Sequence, residues 1–231
     1  ETKHLAIKPN ISVGEMSRFD AVIFDMDGVI IDSEPIHKMS FLELWQEMGY
    51  GDNHGIHFPD FYGRSDRVLW ETFIEKHHPP QPIEELLGLR EERLVQILRD
   101  KQPIFNGVTE LVQRLANRFP LAVGSGSAHR IIDEVLAMRD LSRYFRCTVS
   151  SEDVEQPKPA PDIFLLAAKR LGVEPAKCCV IEDTVSGVQA ANTAGMTVLA
   201  IANTFEAKAL GQAGAGQIFT DYAAIGDTLL N

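Results

Sequence analysis

From Phe105 to the end of the chain, short apolar runs of strand length alternate with stretches of helical periodicity. An earlier apolar run, Ala21–Phe24, has the same β-branched character. The later predicted strands are Leu121–Gly124, Cys147–Val149, Cys178–Ile181, Thr197–Ile201 and Ile218–Phe219. Strands that alternate with helices build a parallel sheet with helices on both faces. The pattern therefore predicts an α/β fold, in which ligands bind beyond the carboxyl ends of the strands.

A long block without strand character interrupts this pattern after the first strand. Pro35 suits a first helical turn, and apolar residues then recur at three-residue spacing as far as Met48. Two further helices are predicted, one around residues 68–74 and one from Ile83 to about Leu98. We predict an α/β core built from residues 17–33 and 104–231, an inserted all-helical domain at 34–103, and an N-terminal extension at 1–16.

Composition limits the classes of partner. The 231 residues are 45% hydrophobic, enough for a sizeable core, and the formal net charge of −11 argues against a nucleic-acid partner. Three cysteines show no metal-ligand or disulfide spacing and read as reduced core residues. No apolar run reaches the ~20 residues that span a bilayer, and residues 1–16 lack the order of a signal peptide. We expect a cytoplasmic monomer that binds neither nucleic acid nor membrane.

Two carboxylates, Asp25 and Asp27, follow the first strand directly, with Gly28 behind them. Alternation along an extended chain points both to the same side. Like charges so close raise each other's pKa unless a cation joins them, and a divalent cation with oxygen ligands would do so. A calcium-binding EF-hand loop is disfavoured because a strand precedes the pair and an apolar segment follows it. A polar turn in which both acids cap a helix remains open from this segment alone.

The second strand is followed by Gly124-Ser-Gly-Ser127 and then by the start of a predicted helix. Small residues let backbone N–H groups approach an anion, and a helix start adds partial positive charge. No Lys-Ser or Lys-Thr follows at P-loop spacing, so a Walker-type nucleotide site is excluded. Ser125, Gly126 and Ser127 are the anion-binding candidates, with a plain loop as the alternative.

Lys158 lies between Pro157 and Pro159 in the loop after the third strand. Prolines restrict their own φ and push the preceding residue toward extended geometry, so this lysine is positioned. Its ammonium could neutralise a carboxylate pair and hold a phosphate as a point charge. A solvated lysine in a stiff loop is the alternative.

Glu182 and Asp183 form a second acidic pair directly after the fourth strand. A helix N-cap explains one acid of the pair but not both. If this strand neighbours the first, the two acids approach Asp25 and Asp27. Oxygen-only ligands suit Mg²⁺, which also accepts a substrate phosphate oxygen. The sequence thus predicts a Mg²⁺ site formed by Asp25, Asp27, Glu182 and Asp183.

The order of these motifs closely resembles that of the haloacid dehalogenase superfamily. Phe24–Ser33, Lys158–Phe164 and Ile181–Ala191 are similar, nearly residue for residue, to the β-phosphoglucomutase-like branch. The helical insertion looks like the cap of that branch. The resemblance covers nearly the whole chain from Phe19 onward and implies a Rossmann-like core with an inserted helical cap.

The resemblance implies phosphoryl transfer through an aspartyl phosphate. Asp25 would be the nucleophile, and Asp27 would be the general acid and then the general base. Asp27 favours phosphate chemistry, because dehalogenases of the superfamily lack a second aspartate there. Ser125, Gly126 and Lys158 would bind the transferring phosphoryl group.

The resemblance also implies the ligands of the metal and the role of the cap. Mg²⁺ would be held by Asp25, the backbone carbonyl of Asp27 and Asp183, with Glu182 as an additional or outer ligand. The cap would act as a lid that supplies substrate contacts. Its candidates are His37, Tyr62, Gly63, Arg64 and Arg67. His37 could equally be an ordinary residue on a polar helix face, and Asp66 stands where the mutases of the family carry an arginine.

We therefore predict a Mg²⁺-dependent phosphatase that hydrolyses a small phosphorylated metabolite, with a sugar phosphate as the leading candidate. The first alternative is a phosphohexomutase of the β-phosphoglucomutase type, in which a second sugar hydroxyl replaces water. A non-catalytic binding domain on the same fold is the alternative from another class.

Overall fold

A six-stranded sheet forms the centre of the α/β core in the computed structural model, which describes residues 19–61 and 66–231. The strands are β1 Ala21–Phe24, β2 Leu121–Gly124, β3 Phe145–Val149, β4 Cys178–Glu182, β5 Thr197–Ile201 and β6 Gln217–Phe219. Their order is β3-β2-β1-β4-β5-β6, and each neighbouring pair is parallel. The predicted α/β fold with a Rossmann-like parallel sheet is confirmed.

The central strands are buried along their whole length. Every residue of β1, β2 and β4 is buried, which matches their nearly continuous apolar sequences and is typical of strands covered on both faces. Phe24 pairs with Val123 of β2 on one side and with Ile181 of β4 on the other. The residues that follow these three strands therefore meet at one edge of the sheet.

Nine α-helices lie in the described part of the chain. They are α1 Glu34–Glu47, α2 Asp66–His77, α3 Ile83–Lys101, α4 Val108–Ala116, α5 His129–Ala137, α6 Asp162–Leu171, α7 Val185–Thr193, α8 Ala207–Gln212 and α9 Tyr222–Leu230. The sequence reading missed α8 and α9. None of the helices described combines the length and apolar content needed to cross a membrane.

The described residues divide into two compact units. One contains the chain up to Asp32 together with Ile104–Asn231, and the other is Ser33–Pro103. Ser33 thus groups with the helical insertion, one residue from the predicted boundary. Ile31 forms an antiparallel bridge with Ile104, and Phe105 N donates to Ile30 O at 3.1 Å. The chain therefore leaves and re-enters the core at neighbouring backbone positions.

The helical insertion has an apolar core of its own. Its buried side chains include Phe41, Leu44, Trp45, Trp70, Phe73 and Leu86. Trp45 stacks on Phe73 at 5.2 Å and on His54 at 4.5 Å between ring centroids. Two short 3₁₀ turns, Gly51–His54 and Phe58–Phe61, fill the stretch where the sequence shows no helical period, and the described residues of this unit contain no strand. Aromatic packing of this kind supplies much of the unit's stability.

Candidate active site

Three buried carboxylates meet where β1 and β4 end, and we name them the carboxylate cluster: Asp25, Glu182 and Asp183. One oxygen of each lies within 4.8 Å of the others. Asp25 N donates to Ile181 O at 2.9 Å, which extends the pairing of β1 with β4 by one residue. Asp25 is 4% exposed, and the two acids of β4 and its following loop are fully buried. The adjacency of β1 and β4 thus brings together acids that are far apart in the sequence.

Lys158 is the cation that the described residues place in this cluster. Its Nζ donates to Asp25 Oδ1 at 2.7 Å and to Glu182 Oε1 at 2.8 Å. The side chain is 12% exposed, and the ammonium lies 4.6 Å from the centroid of the Phe164 ring. Burial alone would lower the pKa of Lys158, but the charges and hydrogen bonds of Asp25 and Glu182 raise it above its ordinary value. Lys158 therefore stays charged and orients two acids at once.

One lysine does not balance three acids. Burial raises the pKa of Asp25 to about 7, with Glu182 and Asp27 adding to the rise and Lys158 opposing it. Burial likewise raises the pKa of Asp183 to about 8, and the charges of Glu182 and Asp25 contribute. A cluster with this excess of negative charge fits a further cation, and oxygen ligands of this kind suit Mg²⁺.

Glu182 is held from several directions. Its Oε2 accepts from the backbone N–H of Asp183 at 2.7 Å, from that of Thr184 at 2.7 Å, and from the Thr184 hydroxyl at 3.0 Å. A Cβ at Gly187 would lie 1.6 Å from Glu182 Oε1, so only glycine admits the carboxylate here. Glu182 is therefore fixed in place and, through its other oxygen, helps to position Lys158.

Asp183 has the opposite character. Neither of its buried carboxylate oxygens accepts a well-formed hydrogen bond from the described residues, although the Thr204 hydroxyl lies near enough to lower its pKa slightly. Gly28 has φ +76°, and a Cβ there would lie 1.8 Å from Asp183 Oδ2. Two buried oxygens with so few donors are costly unless a ligand satisfies them. Asp183 is thus the acid of the cluster best suited to bind a cation.

Asp27 belongs to a second group of side chains, in which serine hydroxyls are the hydrogen-bond donors. Its Oδ2 accepts from Ser127 Oγ at 2.8 Å and from Ser125 Oγ at 3.3 Å. Ser127 N in turn donates to Ser125 Oγ at 3.0 Å, and Ser150 Oγ donates to Ser127 O at 2.8 Å. The Asp27 carboxylate therefore lies outside the carboxylate cluster, although it is near enough to raise the pKa of Asp25. Its ligation of a metal through the backbone carbonyl stays a prediction.

Gly126 lies between the two serines at an exposed position. A Cβ there would meet no heavy atom within 4 Å, so space is open beside this loop. The helix α5 starts at His129, close behind the loop. This leaves the backbone around Gly126 accessible to a small anion, as its predicted role requires.

The remaining predicted residues lie in the helical insertion. The His37 ring on α1 contacts Arg90 of α3, and Arg90 forms an ion pair with Asp66 at 2.7 Å. Arg67 instead pairs with Glu84 at 2.9 Å. Tyr62, Gly63 and Arg64 lie outside the described residues, so the predictions for them stay untested. Arg90 is only 5% exposed and was not singled out by sequence, because one arginine in a charged helix carries no distinguishing pattern.

Sequence reasoning also missed polar residues around the site in the second half of the chain. Asp153 accepts from Ser150 N at 2.9 Å and pairs with His129 at 2.9 Å and with Arg170 at 3.1 Å. The hydrogen bond from Arg170, followed by that from Ser150, lowers the pKa of Asp153. This network braces the loop that carries Ser125 and Ser127.

Two further residues, Asn203 and Tyr222, bind the turn after Asp27. Asn203 Nδ2 donates to Gly28 O at 2.8 Å, and Tyr222 OH donates to Val29 O at 2.7 Å. Asn203 is the second residue after β5, at the same edge of the parallel sheet as Asp25. The rule that ligands lie at strand ends would therefore have pointed to it.

Comparisons with known proteins agree with this geometry. A family model described as haloacid dehalogenase-like hydrolase matches residues 22–201. The chain is 35% identical over 181 residues to fructose-1-phosphate phosphatase YqaB of Escherichia coli strain K12, covering 78% of this chain and 94% of that protein. It is 31% identical over 203 residues to the phosphorylated carbohydrates phosphatase of Thermotoga maritima, covering 85% and 92%.

A solved structure gives the same result for the fold. A protein of Thermotoga maritima, provisionally named a β-phosphoglucomutase, superposes with a TM-score of 0.76 at 29% identity. The superposition covers 91% of this chain and 98% of that one. The fold and the site together define a hydrolase whose carboxylate cluster lies at the carboxyl ends of the central strands. The chain belongs to the haloacid dehalogenase-like hydrolase family, which confirms the family expected from the motifs and its β-phosphoglucomutase-like branch.

Proposed function

We propose that this protein is a Mg²⁺-dependent phosphatase that hydrolyses a small sugar phosphate through an aspartyl-phosphate intermediate. The observation that carries the proposal is the Asp25 carboxylate, which is buried, bound by Lys158 at 2.7 Å and surrounded by two further acids. A carboxylate fixed by an ammonium beside a candidate cation site is suited to attack an electron-poor phosphorus atom. A structural ion pair alone would not need the two additional buried acids.

In the first step the Asp25 carboxylate attacks phosphorus in line, and the bond from phosphorus to the ester oxygen breaks. Asp27 gives its proton to the leaving alcohol oxygen. In the second step Asp27, now ionised, takes a proton from water while the water oxygen attacks the phosphorus of the aspartyl phosphate. Inorganic phosphate leaves, and Asp25 is free again. Ser125, the loop around Gly126 and Lys158 bind the phosphoryl oxygens through both steps.

The residues fit the metal that the family implies. Asp25 and Asp183 would hold Mg²⁺, with the backbone carbonyl of Asp27 and an oxygen of Glu182 as further ligands. When bound, Mg²⁺ neutralises charge on the phosphoryl group and reduces its repulsion from the attacking carboxylate. Lys158 supplies a single positive charge that Asp25 and Glu182 already share, so a second cation is needed to neutralise the phosphoryl group.

The substrate class rests on the relatives. One is named for fructose 1-phosphate and another for phosphorylated carbohydrates, and the formal charge of −11 disfavours a polyanionic partner. We therefore propose a sugar monophosphate as substrate. A monomeric state, a cytoplasmic location and the lid role of the helical insertion remain predictions that go with this proposal.

The decisive experiment measures phosphate release from a panel of sugar phosphates by the full chain with Mg²⁺. We expect release from several hexose and pentose monophosphates, and Asp25→Asn should reduce kcat by ~10³-fold or more while the protein stays folded. The control is Asp20→Asn, because Asp20 is exposed just before β1. Wild-type protein that releases nothing from the panel would favour a non-catalytic binding domain, and an active Asp25→Asn variant would exclude Asp25 as the nucleophile.

A phosphohexomutase is the second candidate, favoured by the likeness to the solved β-phosphoglucomutase-like structure. Incubation with glucose 1-phosphate and a bisphosphate primer separates the two. Formation of glucose 6-phosphate indicates a mutase, whereas inorganic phosphate alone indicates a phosphatase. We favour the phosphatase because Asp66, paired with Arg90, stands where the mutases carry an arginine.

A further inference from the structure

The turn that follows Asp27 is held by side chains from the far end of the chain. Inside the turn, Gly28 N donates to Ile31 O at 2.8 Å and Ile30 N donates to Met26 O at 2.7 Å. The acceptors in these bonds are the carbonyls of Ile31 and Met26, not those of Gly28 and Val29. Buried backbone carbonyls need donors. Here two side chains supply them, from the β5 end and from the start of α9.

We name these two side chains, Asn203 and Tyr222, the carbonyl clamp. Asn203 Nδ2 donates to Gly28 O at 2.8 Å and to Tyr222 OH at 2.8 Å. Tyr222 OH in turn donates a hydrogen bond to Val29 O at 2.7 Å. Tyr222 is 7% exposed, and burial raises its pKa, so the hydroxyl stays protonated and remains a donor. The clamp is a short chain of donors that ends on two successive carbonyls.

The position of the turn is critical for the site. Gly28 touches Asp183 so closely that a Cβ would lie 1.8 Å from Asp183 Oδ2 and 2.7 Å from Thr204 Oγ1. Asp27 directly precedes Gly28, so any shift of the Gly28 carbonyl moves the backbone that carries Asp27. Lys158 fixes Asp25 separately. The carbonyl clamp therefore holds the turn that follows Asp27 and makes no contact with Asp25.

We propose that Asn203 and Tyr222 are positioning residues for the proton transfer by Asp27. The inference rests on the proposed phosphatase function and adds to it two residues outside the motifs. The clamp fixes the Gly28 and Val29 carbonyls, and this keeps the Asp27 carboxylate at the leaving oxygen of the substrate. Loss of the clamp slows the steps that need a proton from Asp27 and spares those that do not.

The test compares two classes of ester for Tyr222→Phe, which removes one oxygen and keeps the ring. With an alkyl ester, such as the best sugar phosphate of the panel, the leaving oxygen needs a proton from Asp27. With p-nitrophenyl phosphate the leaving group departs as a stable anion. Since kcat/KM reports the first phosphoryl transfer, we expect it to fall about tenfold for the alkyl ester, part of the factor that general acid catalysis contributes, and to stay within about twofold for the aryl ester.

Tyr144→Phe is the matched control, because it removes a surface hydroxyl that accepts from Arg143. Asn203→Ala is the second variant. It truncates an exposed side chain and should show the same selective loss, so the inference can be tested even if Tyr222→Phe fails to fold. Equal losses on both esters, or none on either, would overturn the inference. Wild-type protein inactive on every ester would instead refute the proposed function, so the two failures are distinguishable.

Discussion

The candidate active site has two sides, the carboxylate cluster and Asp27 with its serine donors, and they differ in burial and in the type of interaction. On the side of the carboxylate cluster, charged groups are almost fully buried and one ammonium serves two acids. On the side of Asp27, hydroxyls of Ser125 and Ser127 donate to one carboxylate that is partly exposed. Buried ion pairs hold their partners in fixed positions, whereas the serine hydroxyls orient the Asp27 carboxylate by hydrogen bonds without a compensating charge. In the proposed mechanism, the side of the carboxylate cluster holds the nucleophile and the metal, and the side of Asp27 carries out proton transfer.

The largest expected effect comes from removing the ammonium of the charged side. Lys158→Met leaves Asp25 and Glu182 without their shared partner, and breaking a buried pair in this way costs about 3–5 kcal/mol. Phosphate release should fall below detection, since the same ammonium serves the phosphoryl group. Urea unfolding without Mg²⁺ measures the stability loss. Lys169→Met, at an exposed position of α6, is the control. An equal, small effect of both variants would contradict the importance of the buried ion pairs on this side.

The next effect concerns pH and Mg²⁺. The pKa values of Asp25 and Asp183 are raised to about 7 and about 8 in the metal-free protein, against about 4 for unfolded carboxyls. The folded state therefore binds more protons than the unfolded state, and the free energy of unfolding falls as pH rises from about 5 to 8. A bound divalent cation requires both acids to be ionised, so stabilisation by Mg²⁺ grows over the same range.

Thermal unfolding at pH 5.5 and pH 8, each with and without Mg²⁺, checks this prediction. We expect the metal-free Tm to be lower at pH 8 and the shift on adding Mg²⁺ to be larger there. Asp183→Asn should remove most of the Mg²⁺ shift at both pH values. An equal Mg²⁺ shift at the two pH values in the wild type would show that the acids are already ionised without metal.

The smallest expected effect is on the side of Asp27. Ser127→Ala removes the hydroxyl that donates to Asp27 at 2.8 Å. We expect kcat/KM to fall about tenfold, which corresponds to the free energy of one hydrogen bond from a hydroxyl to a carboxylate. Mg²⁺ affinity, measured by titration calorimetry, should not change because Ser127 lies outside the carboxylate cluster. Ser142→Ala, at an exposed position, is the control. Weakened Mg²⁺ binding in Ser127→Ala would mean that the two sides are not separate.

Much of the core followed from sequence for a simple reason. Buried strands have nearly continuous apolar sequences, so β1, β2 and β5 were predicted with the bounds that the structure has, and β3 begins two residues earlier than expected. Polar residues directly after such strands mark the site. The adjacency of β1 and β4 was a condition of the prediction, and the observed strand order meets it.

The orientation of Asp27 could not be predicted. Period-two alternation places Asp25 and Asp27 on one side only while the chain stays extended, but β1 ends at Phe24 and the chain then turns. The Asp27 carboxylate consequently accepts from the two serines. Tyr222 was missed because α9 was missed, and a single tyrosine at a helix start carries no motif. Contacts over more than a hundred residues, such as Tyr222 with Val29, depend on the sheet order.

The bridge between Ile31 and Ile104 suggests how the helical insertion could be replaced. The backbone positions where the chain leaves and re-enters the core are adjacent. A short peptide could therefore join them, and the helical insertion could be exchanged as one module. Deleting or replacing residues 33–103 would leave all six strands and their ends connected in the same order. If the helical insertion supplies the substrate contacts, as predicted, grafting another insertion would change selectivity, and point substitution at the strand ends would change bond cleavage.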